Sequence, residues 1–326
     1  LTAPQAAIWF GLGLGLIFGA LAQLTRFCLR RALVGEDRRQ AAGIWLTALA
    51  VAVLGTQLAV AQGLISFADH RFMASDLPAL AIVIGGVLFG IGMVLTRGCI
   101  SRLTVLSGSG NLRALIVLIV FAIVAHAALK GILAPLRTAL GSMTVPLEIT
   151  ALPGNGIIWA IVIAGAALAF AVRSGNRVGP LILAAAIGLL VPLGWVGTGF
   201  ILYDDFDPIA MESLSFTAPA SEALFYTVAS TAVPAGFGSA LIGGALLGAL
   251  ASALLGGRFT WVSFRSPGET GRYMTGGALM GFGGVLAGGC TVGAGLAGVP
   301  TLSFAAILAL ASIAAGGVLA NLAWRS

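Results

Sequence analysis

One fifteen-residue stretch occurs twice in this chain. Gly85–Cys99 reads GGVLFGIGMVLTRGC and Gly276–Cys290 reads GGALMGFGGVLAGGC; set side by side without a gap they agree at 9 of 15 positions, including the terminal Gly-Cys. An internal repeat constrains the architecture before any single residue does, because each copy must find the same kind of environment. Here both copies are apolar and rich in glycine. Glycine in such a segment lets helix backbones approach closely or lets a helix break, which is how it is used inside a bilayer.

Composition supports a bilayer environment. The 326 residues are 59% hydrophobic and 9% charged, whereas a soluble globular protein carries about 25% charged residues. The mean hydropathy is +1.06. The apolar runs are longer than a β-barrel strand and do not alternate, so the expected fold is all-α, a polytopic membrane protein. The net charge of +6 comes without a basic run interleaved with aromatics, so nucleic acid is not an expected partner. Three cysteines with no CxxC and no ligand-like spacing to histidine argue against a disulfide framework and against a metal site. There is no Walker motif, and no quinone, flavin or other cofactor motif. Leu1 is not an initiator methionine, and the first apolar run lacks the basic n-region of a cleaved signal peptide.

Nine apolar stretches are long enough to cross, near 7–24, 41–64, 79–96, 112–134, 156–172, 180–199, 236–255, 273–287 and 301–323. Placing the N-terminus outside and the C-terminus in the cytoplasm puts fourteen of the seventeen cations on the inner side, Arg325 among them, and leaves Arg71, Lys130 and Arg137 outside, as the positive-inside rule requires. The two repeat copies then run in opposite directions. The chain reads as two inverted repeats of about four spans, 1–135 and 180–326, joined by a linker span at 156–173, in a single membrane domain. A weaker match sets Gly19–Cys28 against Gly188–Gly197, so that Cys28 faces Gly197.

Two segments on the outer side, Ser66–Pro78 and Tyr203–Pro234, are too short or broken to span, and Ser221–Pro234 reads as a short re-entrant helix. The stretches after the repeated cysteines, Ile100–Asn111 and Thr291–Pro300, read as broken backbone dipping in from opposite faces. Such backbone is tolerated at that depth only when packed in protein or lining a cavity. This arrangement brings Cys99 and Cys290 toward one pseudo-two-fold axis, with Cys28 nearer the inner mouth. A thiol is a weak donor and a soft, polarisable partner. Gly98 and Gly289 expose backbone N–H groups able to cradle an anion, and Arg97 and Arg26 add positive potential. The competing reading of any single cysteine is a small buried hydrophobe; recurrence of Gly-Cys in both halves sets Cys99 and Cys290 apart. Arg97 and Arg102 read equally as site cations or inner-edge anchors. His126, with Lys130 one turn away, reads as facing a neighbouring helix or the outer mouth, and His70 as a solvated loop residue. The tryptophans read mostly as an interfacial belt. The apolar spans contain no Asp or Glu, which argues against a carboxylate-driven symporter.

The residues Arg26-Phe27-Cys28, Arg97-Gly98-Cys99 and Gly288-Gly289-Cys290-Thr291-Val292-Gly293-Ala294-Gly295 resemble the YeeE/YedE family of bacterial inner-membrane proteins over nearly the whole chain. The resemblance implies an hourglass-shaped helical protein with short re-entrant helices, taking up thiosulfate or a related sulfur anion. Family cysteines of this kind relay the anion by S–H contacts, and on matching positions these are Cys28, Cys99 and Cys290. Gly98, Gly289, Thr291, Arg97 and Arg26 complete the candidate substrate-binding set. The resemblance also implies a small cytosolic sulfur carrier of the TusA type as partner; no such domain is fused here. Two alternatives stay open: a membrane thiol oxidoreductase or sulfurtransferase, and a carrier for sulfite or a selenium-containing anion.

Overall fold

The computed structural model describes residues 2–324; Leu1 and Arg325, both used above, lie outside the described residues. The fold is all-α. Among the described residues the only sheet is a two-residue pairing of Asp76–Leu77 with Val145–Pro146. Eight helical segments among the described residues are long and apolar enough to cross a membrane, so the protein is a multi-pass membrane protein. A ninth helix, Gly156–Val172, has 17 residues, the lower limit for a crossing.

The helices form two series of the same order. The first is α1 (Ala3–Thr25), short α2 (Leu29–Val34), α3 (Arg38–Ala61), α4 (Ala79–Leu95), short α5 (Ile100–Gly108) and α6 (Leu112–Lys130). After α7 (Ala134–Gly141) and α8 (Gly156–Val172) come α9 (Val178–Val196), short α10 (Thr217–Val228), α11 (Phe237–Leu255), α12 (Pro267–Leu286), a short π-helix (Thr291–Gly298) and α13 (Phe304–Ala323). The packing partners exchange in step. α1 packs on α11 as α9 packs on α3, and α13 packs on α4 as α6 packs on α12.

The centre is the crossing of α4 and α12. They run antiparallel with backbones touching: Gly85 lies against Gly283 and Gly92 against Gly276, an approach that any side chain would block. Phe89, Met93 and Met280 fill the space around it and are fully buried. Large apolar side chains at Ile158, Ile161, Leu247 and Leu319 are exposed on the periphery, where lipid offers the same apolar surroundings as a core.

Several local expectations need correction. Ile100–Gly108 and Thr291–Gly298 are helical rather than broken backbone. The short helix expected at Ser221–Pro234 starts earlier, at Thr217, and ends at Val228. The last repeat span does not begin near Tyr273: α12 starts at Pro267, with Ser266 Oγ accepting from Glu269 N at 3.2 Å. Glu269 made that turn look like a loop, but its carboxylate accepts from Arg113 Nη1 at 2.6 Å. Pairing lets the charge sit at a helix start. Short α10, preceded by Phe216, holds the place in the second series that short α2, preceded by Cys28, holds in the first. Trp45 and Trp195 are buried, while Trp9, Trp261 and Trp324 are exposed.

Candidate functional site

Three turns of one shape carry the three cysteines. In each, a long helix ends on a residue in the left-handed conformation, one residue follows, and the cysteine comes next in extended conformation before a short helix. The left-handed residues are Arg26 (φ 53°), Arg97 (φ 58°) and Gly288 (φ 74°). Cys28 then precedes α2, Cys99 precedes α5 and Cys290 precedes the π-helix. Left-handed backbone disfavours a Cβ, and glycine stands there only in the third turn. Each sulfur faces the backbone N–H three residues on, those of Arg31, Arg102 and Gly293. For Cys290 this is a hydrogen bond, with Gly293 N donating to Sγ at 3.3 Å. The cysteine thus occupies the position of a helix N-cap, where a side-chain acceptor meets the unpaired N–H groups of the first turn.

The turns converge inside the protein. Cys28, Cys99 and Cys290 are all buried, at 7%, 1% and 0% exposure, and all are free thiols. The Cys28 and Cys99 thiols lie side by side within interaction range. Cys99 Sγ sits 3.2 Å from Ser101 Oγ, and the Thr291 hydroxyl also faces it. Thr291 follows Cys290, so it joins the second-half turn to the first-half pair. Cys290 Sγ also faces the backbone N–H of Phe216. Neither repeated thiol points to lipid.

The other expected site residues divide. Gly98 and Gly289 are buried beside the thiols. A Cβ at Gly289 would meet Ala294 N at 2.8 Å, whereas one at Gly98 would meet nothing nearer than 3.5 Å. Arg97 and Arg26 are exposed, and the structure does not bring them to the sulfurs. The cation facing Cys28 and Cys99 is Arg102, which also donates to Ala22 O at 3.5 Å. His126 meets α10, with Nδ1 3.1 Å from Ser221 Oγ and its ring stacked on Phe225 at 3.7 Å.

A cavity of about 1320 Å³ opens above Cys290 and is lined by the segments 57–73 and 195–219 together with Gly293, Ala297 and Thr301 of the π-helix region. Gly293 and Ser215 form part of its floor, so the Cys290 thiol lies one layer below. Sequence reasoning did not bring together the ionisable residues that line this cavity, among them Arg71, His70 and Glu212. His70 is half-buried rather than solvated, packed edge-on against Phe67 and Trp195. Burial and the neighbouring Arg71 cation push its pKa down to about 4. Trp195 in the wall is buried and, among the described residues, its indole N–H has no partner. The signal for these residues was faint: loop positions carry no periodicity, and only the fold gathers two distant loops around one space.

A family described as sulphur transport matches residues 24–319. The chain belongs to this sulphur transport (YeeE/YedE) family. The match takes in all three cysteine turns, so the family's extent and the thiol cluster coincide. Two curated relatives are similar over almost the full length of this sulphur transport chain. One, from Spirochaeta thermophila, is named thiosulfate transporter TsuA; it is 26% identical over 326 residues, covering 93% of this chain and 94% of its own. The other, from Escherichia coli, has the same name and is 27% identical over 318 residues, covering 88% of this chain and 86% of its own.

Proposed function

We propose that this protein takes up thiosulfate across the bacterial inner membrane, with its N-terminus outside and its C-terminus in the cytoplasm, and that it is a transporter rather than an enzyme. Its halves, 1–135 and 180–326, are inverted repeats about the linker span at 156–173, giving an hourglass with the thiols at the waist. The anion collects in the large cavity, passes Cys290, is handed to Cys99 with Thr291 alongside, and leaves past Cys28. Gly98 and Gly289 supply backbone N–H groups there. Arg97 and Arg26 act as edge cations, and Arg102 as the cation nearest the thiols.

The observation that carries this reading is the convergence of the three cysteine turns on one buried cluster. Thiosulfate has a soft terminal sulfur as well as hard oxygens. A thiol gives it a weak, polarisable donor, and serial weak contacts allow release as well as capture. The names of the two relatives, both thiosulfate transporters, point to the substrate. The test is labelled thiosulfate uptake, together with growth on thiosulfate alone of a bacterium that lacks other sulfur uptake. Expression of this chain restores both, and Cys99→Ala or Cys290→Ala abolishes both while the protein still inserts. Wild-type rates in both variants overturn the relay. Competition by sulfite and by selenium-containing anions ranks the substrate against its analogues.

The adjacency of Cys28 and Cys99 favours one second reading, covalent thiol chemistry as in a membrane oxidoreductase or sulfurtransferase. Serine at either position separates the two. A hydroxyl keeps a hydrogen-bonded path partly open and cannot support thiol exchange. In either case a cytosolic carrier of the TusA type fits as the acceptor of the delivered sulfur.

A further inference from the structure

The large cavity brings a cation, Arg71, together with a carboxyl group that sits badly beside an anion. Arg71 lines it from the loop after α3, and Glu212 from the loop before α10. The two attract each other electrostatically, but they are not among the close ion pairs of the described residues. The backbone at Glu212 is anchored: its N–H donates to Thr198 Oγ1 at 2.8 Å, and the Thr198 hydroxyl donates to the Glu212 carbonyl at 2.7 Å. Glu212 is thereby fixed as part of the cavity wall. Other ionisable groups bear on it. His70 and Asp69 share the cavity from the Arg71 loop, and Tyr203 lines it from the Glu212 loop. Glu222 on α10 repels it, and Lys130 on α6 draws on Glu222.

A dianion and a carboxylate in one cavity repel, so the two are exclusive unless the carboxyl is protonated or the cation outweighs it. We propose that Glu212 is a proton-linked gate for the anion: thiosulfate docks on Arg71 only when the Glu212 carboxyl carries a proton. Docking and protonation are then reciprocal, each raising the affinity for the other. The titration lies where a cell would meet it. Burial first and Glu222 second raise the Glu212 pKa to about 7, against the opposing pull of Arg71. His70 titrates near 4, so of these two groups it is Glu212 that changes state near neutrality. Thiosulfate itself remains a dianion throughout.

This inference rests on the thiosulfate reading. The test is uptake into proteoliposomes at subsaturating thiosulfate as external pH is raised from about 5.5 to about 8.5, a range that spans the Glu212 midpoint on both sides. Wild-type uptake is expected to level off on the acid side and to fall by about tenfold per pH unit on the alkaline side, the slope for one required proton. Glu212→Gln, which keeps the shape and stays neutral, is expected to give a flat profile at the acid-side level. Glu222→Gln removes the repelling neighbour and is expected to move the midpoint to lower pH while leaving the acid plateau in place. A merely structural role for Glu212 moves none of these profiles. Uptake that ignores pH in the wild type, or Glu212→Gln that keeps the alkaline fall, overturns the gate and leaves the transport reading standing. Absence of uptake at every pH from correctly inserted protein overturns both.

Discussion

Gly85 of α4 and Gly283 of α12 lie backbone to backbone, and each occupies the space that the other's side chain would need. A methyl group on Gly85 would come within 2.7 Å of the Gly283 carbonyl oxygen, and one on Gly283 within 2.6 Å of the Gly85 carbonyl oxygen. A methyl group on Gly276 would come 2.9 Å from the Gly92 carbonyl oxygen. In the repeat, Gly85 is equivalent to Gly276 and Gly92 to Gly283. The contact made by one pair is therefore made again, with roles exchanged, by the other. The exchange of roles centres on the repeated stretch.

The crossing predicts opposite outcomes for one chemical change. Glycine to alanine normally favours a helix by about 1 kcal/mol. At Gly165 in α8, where a Cβ meets nothing within 4 Å, Gly165→Ala should leave the thermal midpoint in detergent unchanged or raise it. Gly85→Ala and Gly283→Ala push a methyl group into backbone and should cost about 1–3 kcal/mol. Thermal melts of the three variants check this. Equal midpoints would mean that α4 and α12 do not touch.

Arg97 allows a role to be separated from a conformation. It is exposed and left-handed (φ 58°), in the place where the third turn has Gly288. Left-handed backbone costs an ordinary residue about 1–2 kcal/mol, and the greater freedom of glycine in the unfolded chain gives part of that back. Arg97→Gly should therefore gain up to about 1 kcal/mol in stability while uptake stays within a factor of about two. An uptake loss of tenfold or more would return Arg97 to the substrate path.

His70 predicts an acid-labile cavity. Its Nδ1 accepts from Phe72 N at 3.3 Å, a contact that requires that nitrogen to be unprotonated. Its folded pKa, about 4, lies below the ordinary 6.5. For a base depressed in this way the folded state binds fewer protons than the unfolded chain between those two values. Stability is then whole above about pH 6.5, falls as pH drops toward 4, and levels off below that. His70→Asn keeps an acceptor and lacks the titration, so its melting temperature should fall less over that window.

Legibility in the sequence followed the range of the forces involved. The spans were readable because twenty apolar residues in a row have few other uses. The importance of Cys99 and Cys290 was readable because Gly-Cys recurs. The start of α12 was hidden because Glu269 is neutralised by Arg113, 156 residues away in sequence. Arg102 was readable equally as a site cation or as an inner-edge anchor. A residue three beyond a cysteine points back at it only if a helix starts at that cysteine, and the glycine and serine after Cys99 suggested irregular backbone instead. Glu212 escaped for a similar reason. An ionisable relay is expected inside an apolar span, whereas this carboxyl enters the cavity from a loop.

The side-by-side placement of Cys28 and Cys99 makes a last prediction, which tests the waist by trapping it. Two thiols in contact form a disulfide under mild oxidation when their backbones permit bridging. The Thr291 hydroxyl, next to Cys290, is directed at Cys99. Mild oxidant applied to the wild type should therefore link Cys28 to Cys99, seen by mass spectrometry of peptides digested without reduction. Cys290 should stay available to a thiol reagent after denaturation. Uptake should be lost on oxidation and recovered on reduction. Cys290→Ala should still form the link, whereas Cys28→Ala should not. A bridge that pairs Cys290 with Cys99 instead would mean that the order of thiols along the path is wrong, with Cys28 as the outlier.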